Sequence, residues 1–412
     1  MFHGWRIVLA GFVIQMFGSA LANHSAGTFI VVLQGELGWS KALISGAFAA
    51  AVAQAALLAP FQARLVHAIG PRAVVRVGVL FLAAGLAAMG WVRTEASLYV
   101  AVLLIGLGYT LTFDVALQTT IVNWFDRRRG AALGVMMSGF GAGGALVPAV
   151  AWAMTELGWR RAALLGAAVM AAVGLAAAQV ISWSPEDRGE VPDGARGDIL
   201  GKSPAAPEGT GADGLSAKEA FRTRSFWLLA GGQALSMFGA TSVAIHLVPY
   251  AVEQLPLSLE AAGGLMTLLL ACAVAGNVGG GILADRLDKR TALVVLTLIQ
   301  AAGLGLVVFG RALSTAILFC VTYGLTLGAR GPLALSIRAD YFGRKAYATL
   351  WGVSLLFANI GSMAGMVATA YLADRFGGYQ VPFATVAALT LLAALLFAKA
   401  GRPDAGPGAA QS

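Results

Sequence analysis

A bilayer core offers no water to backbone N–H and C=O groups, so a chain dominated by long apolar runs has to close those hydrogen bonds within helices. This chain carries twelve such runs, roughly 5–32, 41–63, 73–92, 97–124, 130–155, 160–182, 226–252, 259–284, 291–310, 314–338, 346–373 and 380–398. Each is long enough to cross about 30 Å of hydrocarbon with some tilt. Composition agrees: 58% of the 412 residues are hydrophobic and 12% charged, more apolar surface than a soluble domain of this size needs. The first run, from Trp5 to about Val32, is too long for the apolar region of a secretory signal and lacks a convincing cleavage site, so it reads as a retained span. The spacing predicts an all-α membrane protein of twelve transmembrane helices.

The stretch 183–224 differs in kind. Ser184-Pro185-Glu186-Asp187-Arg188 leads into a Gly-, Pro-, Ala- and Asp-rich run, which reads as a flexible linker ending in a short amphipathic helix over Leu215 to Arg224. The expected organisation is therefore a six-helix bundle over 1–182, a cytoplasmic linker over 183–224, a second six-helix bundle over 225–400 and a tail over 401–412. An excess of 28 Lys and Arg over 20 Asp and Glu could suit nucleic acid, but these residues sit in short loops. With both termini cytoplasmic, twenty-one of the 28 fall in inner segments and six in outer ones, which supports the count and its direction and excludes nucleic acid as the reason. The expected location is the cytoplasmic (inner) membrane. Cys272 and Cys320 lie inside apolar runs and read as packed thiols, with no disulfide or metal framework.

The halves echo each other. Met16-Phe17-Gly18 in span one is answered by Met237-Phe238-Gly239 in span seven, and Asn123-Trp124-Phe125-Asp126-Arg127-Arg128 by Asp340-Tyr341-Phe342-Gly343-Arg344-Lys345. Aligning Phe125 with Phe342 sets Asp114 over Gly331, next to Arg330. On the span assignments these are the one carboxylate and the one cation deep in the bilayer. They lie about 16 Å and 18 Å from the nearer boundary at 1.5 Å per residue. A charge there costs about 2.5–3.5 kcal/mol even on lenient scales, so each is a functional candidate.

Several pieces carry a family likeness. Gly38-Trp39-Ser40-Lys41 opens span two, and Ala63-Arg64-Leu65-Val66-His67-Ala68-Ile69-Gly70-Pro71-Arg72 occupies the loop after it. His246-Leu247-Val248-Pro249-Tyr250 closes span seven, and Gly281-Ile282-Leu283-Ala284-Asp285-Arg286 precedes the next loop. Over essentially its whole length the chain resembles the major facilitator superfamily. Within it, the chain looks like the bacterial branch related to monocarboxylate porters and oxalate–formate exchangers. The resemblance implies two pseudo-symmetric bundles, a central cavity lined by spans one, four, seven and ten, and alternating-access transport of a small organic anion, a mono- or dicarboxylate, coupled to protons. It implies no enzyme activity and no cofactor, and one twelve-span monomer can hold a whole pathway. By the same likeness Arg64, Arg72, Asp285, Arg286 and Arg290 gate the inward ends of the helices by charge pairing. The chain departs from the pattern in two places. His67 and Ala68 replace the first-half acid and the basic residue after it, and Gly276-Asn277 stands where the branch shows Gly-Arg, which leaves Arg330 to supply the missing charge.

In this reading Arg330 holds the anionic group bidentately and Asp114 takes and returns the proton. Two alternatives stay open: a permanent Asp114–Arg330 bridge, or Arg330 bonded to carbonyls of its own turn, Gly328-Ala329-Arg330-Gly331-Pro332. Asn277, His24, His246, Tyr109, Gln118, Tyr323 and Asn359 are further candidates for contact with solute; Gln15, Gln54 and Gln300 read equally well as interhelical glue. The glycines of Gly139-Phe140-Gly141-Ala142-Gly143-Gly144 permit bending and are not a nucleotide fingerprint, since no strand precedes them. An exporter of apolar or cationic compounds is the competing function. A membrane enzyme or sensor lacks a metal cluster, a nucleophile–base pair or a soluble catalytic domain.

Overall fold

The computed structural model describes residues 2–39, 41–193, 215–255, 257, 259–310 and 312–403. Among them twelve helices are long and apolar enough to cross a membrane. Spans one to six are His3–His24, Gly46–Ile69, Pro71–Gly90, Glu95–Trp124, Arg129–Leu157 and Trp159–Ala178. Spans seven to twelve are Arg224–Gln254, Ala261–Arg286, Lys289–Phe309, Leu313–Phe342, Tyr347–Phe376 and Gln380–Lys399.

Two helices outrun the apolar runs that predict them. Span two continues to Ile69, so Arg64 and His67 lie on its last two turns and not in a loop. Span ten continues to Phe342 and takes Arg338 with it. Arg338, expected in an inner loop on sequence grounds, is 1% exposed and is therefore buried like Arg330 and Arg129. A helix can carry an arginine past the end of an apolar run when carbonyls and an aromatic face receive the guanidinium, as happens here.

The chain divides into two units. The first comprises Met1–Asp126 and Val135–Pro192, the second Arg127–Gly134 and Asp193–Ser412. In the first unit, glycines set the crossing of spans three and four. A Cβ on Gly78, Gly85 or Gly108 would fall on the Thr112 side chain, the Ile105 backbone and the Leu82 backbone respectively. Small residues let backbones touch where lipid gives no hydrophobic drive between helices. Span four is interrupted at Asp114 and Val115, between helices Glu95–Phe113 and Ala116–Trp124. Span one turns π-helical over Ser19–His24 and span five 3₁₀-helical over Gly143–Leu146, and Gly143 fits against Ser19 and Met16. The start of the expected linker is bound to this unit: Trp124 Nε1 donates to the Ser182 carbonyl at 3.0 Å and Asn123 Nδ2 to that of Trp183 at 3.3 Å. Residues 194–214 lie outside the described residues.

In the second unit spans eight and ten make the same kind of contact. Gly276, Gly324 and Gly328 leave room for the carbonyl oxygens of Leu325, Leu269 and Ala273, and Gly280 for Ala329. Gly361 and Gly365 of span eleven do this for Ala234 and Phe238 of span seven. A short helix, Ala217–Arg222, precedes span seven and is capped by Ser216, whose Oγ accepts from the Glu219 amide at 3.3 Å. Span nine begins on Asp288, which accepts from the Thr291 amide at 2.7 Å; the Thr291 side chain and amide hold that carboxyl below the usual range.

Candidate transport site: buried charges in each unit

Asp114 sits half-buried at the interruption of span four, where the helix loses its regular hydrogen bonds. Gln62 of span two lies beside its carboxyl, and Tyr109, packed on Phe113 with ring centroids 4.4 Å apart, is its neighbour on the same helix. Gln118, one turn further on, is buried with its Oε1 lacking a hydrogen-bond partner. Asp114, Tyr109 and Gln62 therefore belong to one polar neighbourhood of the first unit. Gln62 was not singled out by the sequence, because nothing local marks a glutamine that meets a residue 52 positions away.

Arg330 points into the interior of the second unit. Its two terminal nitrogens donate to Ser236 Oγ on span seven and Gln300 Oε1 on span nine. The Phe397 ring lies over it with its centroid 5.8 Å from Cζ, and Tyr323 is close enough to act on it electrostatically. The guanidinium thus bonds side chains of other helices, not carbonyls of its own glycine-rich turn. Gln300, read as glue between helices, acts as a partner of the charge. Arg338 is held differently: Nη1 donates to the Ala334 carbonyl at 2.6 Å, Nη2 to that of Leu229 at 3.2 Å, and Trp351 stacks at 5.2 Å. A guanidinium can face an aromatic ring favourably, and a drier setting strengthens the contact.

The remaining candidates are dispersed. His24 Nε2 is 2.9 Å from the Phe140 carbonyl, which Ser19 Oγ also reaches at 2.9 Å, so this histidine ties the π-helical turn to span five. His246 Nε2 is 3.4 Å from the Met366 carbonyl, its ring 5.8 Å from that of Tyr379. Tyr323 is buried against Phe319, with Gln300 beside its hydroxyl. Asn277 and Asn359 are half-buried. The backbone of Asn277 is wedged between Gly134 and Gly328, where a Cβ on either glycine would strike it.

The expected gating arginines are likewise spread out. Arg64 lies over its own helix's Phe61 at 5.8 Å, and Arg72 Nε donates to the Ile181 carbonyl at 2.6 Å. Arg290 donates to the Ala398 carbonyl, and Arg286 is exposed. Asp285 takes backbone donors, accepting from the amides of Gly130 at 2.7 Å and Ala131 at 2.9 Å at the start of helix Arg129–Ala142. That is the end of a helix where a carboxylate is favoured. Asp340, which no local sequence signal marks, is paired on both oxygens: Arg129 bridges one at 2.8 Å and Lys289 the other. Among the described residues no group of three or more His, Cys, Asp or Glu is placed to hold a metal ion.

The Major Facilitator Superfamily model matches residues 8–329 and 229–411. The chain belongs to this superfamily. Its members are transporters and not enzymes, and the twelve spans make it a multi-pass membrane protein. Monocarboxylate transporter 13 of Rattus norvegicus is 25% identical over 94% of this chain and 86% of its own length. Monocarboxylate transporter 11 of Mus musculus is 27% identical over 98% and 88%. Among solved structures, the E. coli fucose:proton symporter FucP superposes with a TM-score of 0.74 at 14% identity, over 97% of this chain and 100% of that one. The human organic anion transporter MFSD10 gives 0.71 at 17%, over 96% and 99%. These structural likenesses speak to the fold.

Proposed function

We propose that this transporter carries a small organic anion, a mono- or dicarboxylate, across the cytoplasmic membrane together with protons by alternating access. The observation that carries the reading is Arg330, a guanidinium 6% exposed whose hydrogen bonds go to the neutral side chains of Ser236 and Gln300. Arg338, in the same unit, donates to the carbonyls of Ala334 and Leu229. Two fixed positive charges held by neutral partners favour an anion and disfavour an organic cation. A solute carboxylate reaches Arg330 by replacing Ser236 or Gln300, because a charge-assisted, bidentate pair is stronger than a bond to a hydroxyl or an amide. Asp114 carries the proton in the first unit. The names of the relatives, monocarboxylate transporters over most of their length, support the same class of solute. The arginine-rich segments support both termini lying inside.

The test is uptake into proteoliposomes under an inward proton gradient. Short-chain carboxylates accumulate, Arg330→Ala abolishes that uptake at unchanged expression, and Arg330→Lys recovers little because the fork geometry is lost. Accumulation of organic cations with no carboxylate uptake, or full uptake by Arg330→Ala, ends this reading.

A further inference from the structure

We infer that Gln62 is a positioning residue for Asp114: its carboxamide serves both protonation states of that carboxyl by turning over. The inference rests on the reading of Asp114 as proton carrier and deepens it. Gln62 is 2% exposed on span two, the Asp114 carboxyl lies beside it, and neither its Oε1 nor its Nε2 is held by a well-aligned hydrogen bond. A buried amide without settled partners is a cost to the fold that an apolar side chain of the same length would not carry. The cost is explained if the two amide atoms are needed in turn.

An amide presents a donor on one side and an acceptor on the other. Nε2–H donates to the ionised carboxylate. After a half-turn about the last side-chain bond, Oε1 accepts the O–H of the protonated acid. An arginine or lysine at this position would serve the ionised form alone, and a carboxylate the protonated form alone. Glutamine offers a complementary atom to each form, so the carboxyl has a partner whether its proton is bound or released.

The other charged groups on the packed helices are engaged or directed elsewhere. On span two Arg64 and His67 are exposed, and Lys41 is the first residue of helix Lys41–Ile69. On span three Arg72 donates to the Ile181 carbonyl and Arg76 to Gln179. On span one His3 bonds the Val180 carbonyl and Arg6 is exposed. Tyr109 is the titratable neighbour on Asp114's own helix.

Infrared difference spectroscopy of the whole protein in lipid, across a step in pH and with no solute present, reads the acid directly. The native protein gives a protonated-carboxyl C=O band that Asp114→Asn removes. In Gln62→Met, similar in length but without the amide, the band persists at higher wavenumber because its hydrogen bond is gone. Gln62→Asn, one methylene shorter, lies between the two. Methionine is easier to bury than an amide, and an unreduced thermal midpoint for Gln62→Met verifies that it folds. An Asp114 band left at its native wavenumber in folded Gln62→Met overturns the assignment of Gln62 while the proton-carrier reading stands. A native spectrum with no Asp114-dependent band overturns both.

Discussion

A buried guanidinium has five N–H donors to satisfy, and what satisfies them decides whether it can change partners. Arg338 is fixed by two backbone carbonyls, groups that cannot rotate away, and lies over the Trp351 ring. It works as a bracket between spans seven, ten and eleven. Arg338→Ala should therefore lower stability by about 2–5 kcal/mol through lost packing and a cavity, seen as a lower thermal midpoint in detergent, while folded protein still transports. A variant as stable as the parent would remove the bracket role. Asp114 makes the opposite case. Asp114→Asn keeps the shape and the hydrogen bonding but cannot gain or lose a proton. Solute exchange should persist, while gradient-driven accumulation drops to passive equilibration; unchanged accumulation in liposomes excludes Asp114 from coupling. Both lone mid-span charges were legible in the sequence, because a charge stands out in an apolar run. Their partners were not: Gln62 and Ser236 become meaningful only through contacts made by other helices. Arg338 was hidden because an apolar run was ended at the first charge near its edge.

Helix pairs in this protein are held by glycine, and the position of each glycine decides its tolerance. Gly328 has the Ala273 carbonyl oxygen where a Cβ would go, and that oxygen is backbone, so spans eight and ten have to part to admit a methyl group. Gly263, near the other end of span eight, has nothing within 4 Å of such a Cβ. Gly328→Ala should cost about 1–3 kcal/mol by overpacking, while Gly263→Ala is neutral or slightly stabilising through helix propensity. Parallel thermal melts check this, and equal midpoints for the two variants would exclude glycine-controlled packing of that pair. Twelve helices and their approximate ends could be read from apolar length alone. The interruption at Asp114, the π-helical turn at Ser19–His24 and the 3₁₀ turn at Gly143–Leu146 could not. Such irregular turns answer to neighbouring helices: Gly143 admits Ser19, and the Phe140 carbonyl receives both Ser19 and His24.

At the scale of the whole molecule the distribution of basic residues carries an orientation. A Lys or Arg close to an anionic inner leaflet is worth about 1 kcal/mol, so a large asymmetry sets the direction in which all the spans insert. With Arg338 taken out of the loops, twenty basic residues are still expected inside against six outside, so the proposed direction does not depend on Arg338. The chain's two cysteines, Cys272 half-buried and Cys320 buried, can be replaced to give a background for labelling. Two exposed positions then report the two sides: Lys218, on the short helix before span seven, and Arg93, between spans three and four. In right-side-out vesicles a membrane-impermeant maleimide should label Arg93→Cys and spare Lys218→Cys, and permeabilisation should expose both. The reverse pattern would invert the molecule, and with it the side of the membrane on which Asp285, Arg129, Lys289 and Asp340 gather. Labelling of both positions in sealed vesicles would put residues 93 and 218 on one side, so one of the three spans between them, four, five or six, would fail to cross.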